Sequence, residues 1–164
     1  MNHYKSWSEL NKQLTERLCD SLKDRVKYFL TRYHKVHNAY GRASVNVDGK
    51  ELVNFTWWDM YKQDYDVNEL WKQTGQWDYN TEELKQKWDE TATYSEMNFL
   101  DAATEFLQLS IKEALCSDNY LIRMFAIMDR RVGKRTLDAI KDSGEYMGYP
   151  EWLRQFYELR ICNS

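Results

Sequence analysis

The chain has 164 residues, 43% of them apolar and 30% charged, with a formal net charge of −3. That length favours one compact domain over residues 1–164, with core enough to fold without a disulfide or metal, and the composition excludes wholesale disorder. No apolar run reaches the roughly 18 residues of a membrane span, the amino-terminal stretch has no apolar signal segment, and the widely spaced Cys19, Cys116 and Cys162 define neither a disulfide framework nor a zinc site; a cytosolic protein is expected.

Six glycines and one proline are about a third of the usual share of roughly 12%, which favours long regular elements. Seven Trp, twelve Tyr and six Phe supply either core or the anchors of an interface. Charge is uneven. Residues 1–45 carry nine Lys/Arg against four Asp/Glu, residues 46–101 five against thirteen, and residues 102–164 nine of each. So small a whole-chain charge argues against nucleic acid as a partner.

In chain order, Ser6-Trp7-Ser8-Glu9 has capping-box spacing, and Leu10, Leu14 and Leu18 follow at i+4, so a helix is predicted over 7–19. Val26, Tyr28 and Leu30 alternate with Lys27, Phe29 and Thr31 as in a strand. Arg42–Val47 and Glu51–Trp57 flank Asp48-Gly49, a hairpin signal. A two-residue loop sets Val45 opposite Leu52. A three-residue loop, Asp48-Gly49-Lys50, sets Val45 opposite Val53 and Ala43 opposite Phe55, which gathers an apolar face and is preferred. A three-stranded antiparallel meander over about 25–57 follows, with helices as its cover.

Beyond Trp58 only helices are predicted: a short one opened by Thr56 or Asp59 and reaching about Tyr65, another over 66–75, then one from an Asn80-Thr81 cap to Thr91. The strongest begins at Ser95 and carries Leu100, Ala103, Leu107, Ile111 and Leu115 in one stripe, widened by Phe99 and Phe106. Ser117-Asp118-Asn119 caps the next, with Leu121, Phe125, Met128 and Val132 at helical spacing. Gly133 ends or kinks it, and Lys134–Asp142 continues separately. Pro150 is placed as the first residue of a last helix carrying Leu153, Phe156 and Tyr157. The fold class is therefore α+β, mostly helical.

Familiar chemistry is missing. His34 and His37 read as ordinary surface or turn residues. Asp64-x-Asp66-x-Asn68 starts like a calcium loop, but Glu69 and Gly75 stand where that loop needs glycine and glutamate. Gly133-Lys134-Arg135-Thr136 lacks the Ser/Thr directly after Lys and the earlier glycine of a phosphate loop, whose place is taken by Met128. There is no nucleophile elbow and no dinucleotide fingerprint; no metal and no cofactor is expected. An active site built from separated residues leaves no local signature.

Two clusters remain. Asp129-Arg130-Arg131-Val132-Gly133-Lys134-Arg135 concentrates cations where a helix carboxyl end is predicted, a favourable place for them. One of the adjacent arginines is positioned to turn inward to a buried carboxylate, either Asp129 or a residue of the acidic middle segment. As an anion site the cluster offers Arg130, Arg131, Lys134 and Arg135. The acidic middle offers Asp59, Asp64, Asp66, Trp71, Trp77 and Asp78 as an acidic, aromatic face for a basic protein partner.

Trp7-Ser8-Glu9-Leu10, Cys19–Val26, Thr31-Arg32-Tyr33, Gly41-Arg42-Ala43 and Val47–Glu51, with the Asp129–Arg135 block and Phe156–Arg160, resemble a family of small bacterial cytosolic proteins without an assigned biochemical activity. The resemblance spans nearly the whole chain. The expected function is a non-catalytic protein-binding module of immunity or adaptor type using the acidic-aromatic face. The alternatives are anion or nucleic-acid binding through the arginine cluster, and an enzyme with a dispersed site.

Overall fold

The computed structural model describes residues 6–32, 41–56 and 82–164. The fold is α+β. In chain order its elements are α1 (Trp7–Arg17), β1 (Val26–Arg32), β2 (Gly41–Val47), β3 (Lys50–Thr56), α2 (Glu82–Thr91), α3 (Glu96–Gln108), α4 (Ile111–Leu115), α5 (Tyr120–Ile127), α6 (Lys134–Ser143), a 3-10 turn (Glu145–Gly148) and α7 (Glu151–Cys162). The helices predicted near 59–65 and 66–75 lie outside the described residues.

The strands form an antiparallel sheet in the order β1-β2-β3. Tyr28, Val45 and Val53 are cross-strand partners, as are Leu30, Ala43 and Phe55. The apolar pairing is the one expected, but the loop is not. Val47 pairs with Lys50, so Asp48-Gly49 is a two-residue turn, and a bulge beside Val45 and Asn46 absorbs the extra residue. Both turn residues have positive φ, 51° and 80°, as the right-handed twist of a tight hairpin demands. A bulge keeps every apolar side chain inward while leaving the turn its preferred length.

One face of this sheet is covered by α3, which packs on β2 and β3, and by α1, which packs on β1 and α3. Phe55 stacks on Phe99 with centroids 5.6 Å apart, and Phe99 and Phe106 both contact Phe125 of α5. Much of the described aromatic excess is therefore core. Ser6 caps α1 by accepting from the Glu9 amide, while the Glu9 carboxylate instead takes the Gln13 amide.

The stripe from Leu100 to Leu115 does not form one helix. Leu109 and Ser110 are extended, and a second helix starts at Ile111. Ser110 and Glu113 form a full capping box, and the Leu109 carbonyl accepts from Arg131 at 3.1 Å. Local capping chemistry overrides apolar periodicity here. Asn119 caps α5 by accepting from the Leu121 amide. Pro150 is the cap of α7 rather than its first helical residue.

Candidate functional site

The basic cluster lies on the connection between α5 and α6, and that connection is held from several sides. The Cys19 amide donates to the Met128 carbonyl at 2.9 Å, and the Arg130 amide to the Arg17 carbonyl at 2.7 Å. Asp129 is 1% exposed. Both its carboxylate oxygens accept from the Arg131 guanidinium at 2.9–3.1 Å, and one also caps the Arg131 amide at 2.7 Å. The inward arginine is therefore Arg131, and its carboxylate is Asp129, one of the two partners the sequence left open. Arg131 also covers the Phe106 ring at 5.8 Å. It is committed to holding the connection, which leaves Arg130, Lys134 and Arg135 exposed.

Their setting differs from the expected one. Helix α5 ends at Ile127, and Lys134 and Arg135 open α6. They stand at the positive end of a helix, where the dipole repels cations and attracts anions. The cap residue, Gly133, offers no side-chain bond, and no atom lies within 4 Å of the place a Cβ would take there. The amides of Lys134, Arg135 and Thr136 precede the first intrahelical bond, from the Leu137 amide to the Gly133 carbonyl. The amino end of α6 is thus open and uncapped by a side chain.

A further cation joins from α7. Arg160 is only 7% exposed, and its Nη2 donates to the Val132 carbonyl at 3.0 Å, one residue ahead of Gly133. Its Nε is fully buried without a partner, and Arg160 has no ion-pair partner among the described residues. A buried charge without a counter-charge costs several kcal/mol. The cluster therefore consists of three exposed cations, a free helix end and one buried guanidinium reaching its base. Sequence reasoning missed Arg160. Its signal was position: Leu153, Phe156 and Tyr157 precede it at i−7, i−4 and i−3, so it falls on the apolar stripe of α7.

The acidic-aromatic set, Asp59, Asp64, Asp66, Trp71, Trp77 and Asp78, lies outside the described residues, as do His34, His37 and the calcium-like Asp64–Asn68 segment. Among the described residues no group of three or more His, Cys, Asp or Glu is placed to hold a metal ion. No helix among them is long and apolar enough to cross a membrane.

Fold and cluster together define a small α+β protein with an arginine- and lysine-lined helix entrance. The chain belongs to the SF0329 protein family, whose family model matches residues 6–161. Neither the curated proteins nor the solved structures contain a match to the chain.

Proposed function

We propose that the protein is a binding module for an anionic group of the phosphate class, held at the amino end of α6 by Arg130, Lys134, Arg135 and Arg160. The observation that carries this reading is Arg160, a buried guanidinium with one carbonyl for a partner among the described residues. A tetrahedral oxyanion supplies the missing counter-charge, accepts from the free amides of the helix end and interacts favourably with its dipole. It also relieves the repulsion between Lys134 and Arg135 and that same dipole. Titration with inorganic phosphate, followed by amide NMR, is expected to move the Lys134, Arg135 and Thr136 signals in a saturable, salt-sensitive way. Unmoved amides at these positions contradict the reading.

A second reading is a protein-binding surface of immunity or adaptor type, built on Asp59, Asp64, Asp66, Trp71, Trp77 and Asp78. It is favoured by the thirteen acids against five bases in residues 46–101. A basic protein bound there is released by substitutions in that acidic set and is insensitive to inorganic phosphate. We also place the protein's work in the bacterial cytosol, a reducing compartment that suits the free thiols of Cys19, Cys116 and Cys162.

A further inference from the structure

A cavity of about 500 Å³ opens among α4, α5, α6, the 3-10 turn and α7, within the roughly 300–1,000 Å³ of small-molecule sites. Its walls are aromatic and aliphatic. Tyr146 and Tyr157 stack with centroids 5.8 Å apart and planes 8° apart, and Tyr149 meets Tyr157 edge-on at 5.2 Å. Ile111, Leu115 and Ile140 complete the apolar lining.

Polar groups converge on this lining. The Arg123 guanidinium lies over the Tyr120 and Tyr149 rings, 5.8 and 5.2 Å from their centroids. Its Nε donates to the Ser117 carbonyl, and its Nη1 donates to the Tyr149 hydroxyl at 2.7 Å. Among the described residues Nη2 has no hydrogen-bond partner and Arg123 makes no ion pair. Lys112 adds a second cation to the lining. Glu145, the one carboxylate of the lining, accepts from the Tyr149 hydroxyl at 3.4 Å. Tyr157 is 3% exposed; its hydroxyl has no hydrogen-bond partner among the described residues, yet it is not sealed off as Arg160 Nε is. Burial keeps that hydroxyl protonated well above the ordinary tyrosine range, so it is available as a donor.

We propose that this cavity is a second binding site, taking a small planar aromatic carboxylate. The ring packs among the tyrosines and Ile140. The carboxylate accepts from Arg123 Nη2 and the Tyr157 hydroxyl, which gives the stacked guanidinium the counter-charge it lacks. A neutral ring leaves Arg123 unpaired, and an aromatic amine adds positive charge to a lining whose two cations, Lys112 and Arg123, outnumber its one carboxylate, Glu145.

The test uses benzoate, benzyl alcohol and benzylamine as matched probes on the full chain, read by methyl NMR of Ile111, Leu115 and Ile140. Benzoate is expected to bind tightest and benzylamine weakest, and benzoate binding persists in saturating inorganic phosphate, which separates this site from the helix entrance. Ile140→Trp fills the cavity and abolishes the shifts. Tyr157→Phe removes only an unpartnered hydroxyl and weakens benzoate by about tenfold to a hundredfold, the worth of one hydrogen bond to a charged group. Benzylamine binding as well as benzoate, benzoate binding unaffected by both substitutions, or no methyl response to any probe overturns the proposal.

Discussion

Asp129 is the charged residue on which the turn between α5 and α6 is built. It is buried, both its oxygens are taken by Arg131, and the turn it caps supports the cations of the helix entrance. Asp129→Ala leaves Arg131 without its counter-charge and the turn without its cap. The expected loss is about 3 kcal/mol, at the lower end for breaking a buried pair because Arg131 keeps some contact with water. Urea denaturation measures it, and a loss within the small range of surface substitutions contradicts the role assigned to this pair. Arg130 and Arg131 are adjacent in sequence and opposite in use. The sequence suggested that one of them turns inward and that Asp129 is a partner within reach; only the fold shows which. Arg160 was not legible as a site residue, because nothing in the final helix links it to a turn 28 residues earlier. Its place on an apolar stripe marks it as buried, but not what it reaches.

At the scale of elements, the sheet shows what periodicity specifies and what it leaves open. Alternation in Val26–Leu30 and the apolar content of Ala43, Val45, Val53 and Phe55 fixed the pairing. They did not choose between a longer loop and a bulge, since both keep the same residues inward. The break between α3 and α4 is the opposite case: Ser110-x-x-Glu113 was readable as a cap, but Leu107, Ile111 and Leu115 continued the stripe across it. A helix end costs no apolar contact when the next helix presents the same face. Ser110 also holds the Glu113 carboxyl below its ordinary range, through its hydroxyl first and then its amide. In Ser110→Ala the Glu113 carboxyl is expected to rise toward its ordinary value of 4.5 in an NMR titration. The carboxylate stabilises the native state above its unfolded pKa, and that contribution fades as pH falls through the folded value. The stability gap between the two proteins therefore narrows in acid. A Glu113 titration unchanged by the substitution contradicts the capping box.

Across the whole molecule, aromatic residues join the sheet, the helices and the cavity. Tyr28 meets Phe99 and Phe125 in the core, Tyr94 meets Phe55 and Trp152, and Tyr157 lines the cavity. Burial raises the hydroxyls of all three above the ordinary value of 10.0; Asp129 adds to this at Tyr28, Asp89 at Tyr94 and Tyr149 at Tyr157. Each is neutral in the native state and ionises more easily when unfolded. Their stabilising contribution is complete below the unfolded pKa and is lost as pH rises beyond it. Ultraviolet titration of the twelve tyrosines is expected to show exposed groups ionising first. Tyr28, Tyr94 and Tyr157 then follow in a cooperative step that coincides with loss of near-ultraviolet circular dichroism. Smooth ionisation of all twelve without unfolding contradicts this core.

The same scale holds the central claim, that the fold keeps a buried cation at a helix entrance for an anion to complete. Thermal unfolding of the parent protein and of Arg160→Leu, each with inorganic phosphate or with chloride at matched ionic strength, tests it most directly. Replacing a buried, uncompensated charge by an apolar residue of smaller size leaves the protein folded and as stable or more so. Ligand binding to the native state raises the unfolding temperature with concentration. The expected result is a phosphate-dependent rise in the parent that is absent in Arg160→Leu. Equal phosphate responses in the two proteins, or none in the parent, contradict it.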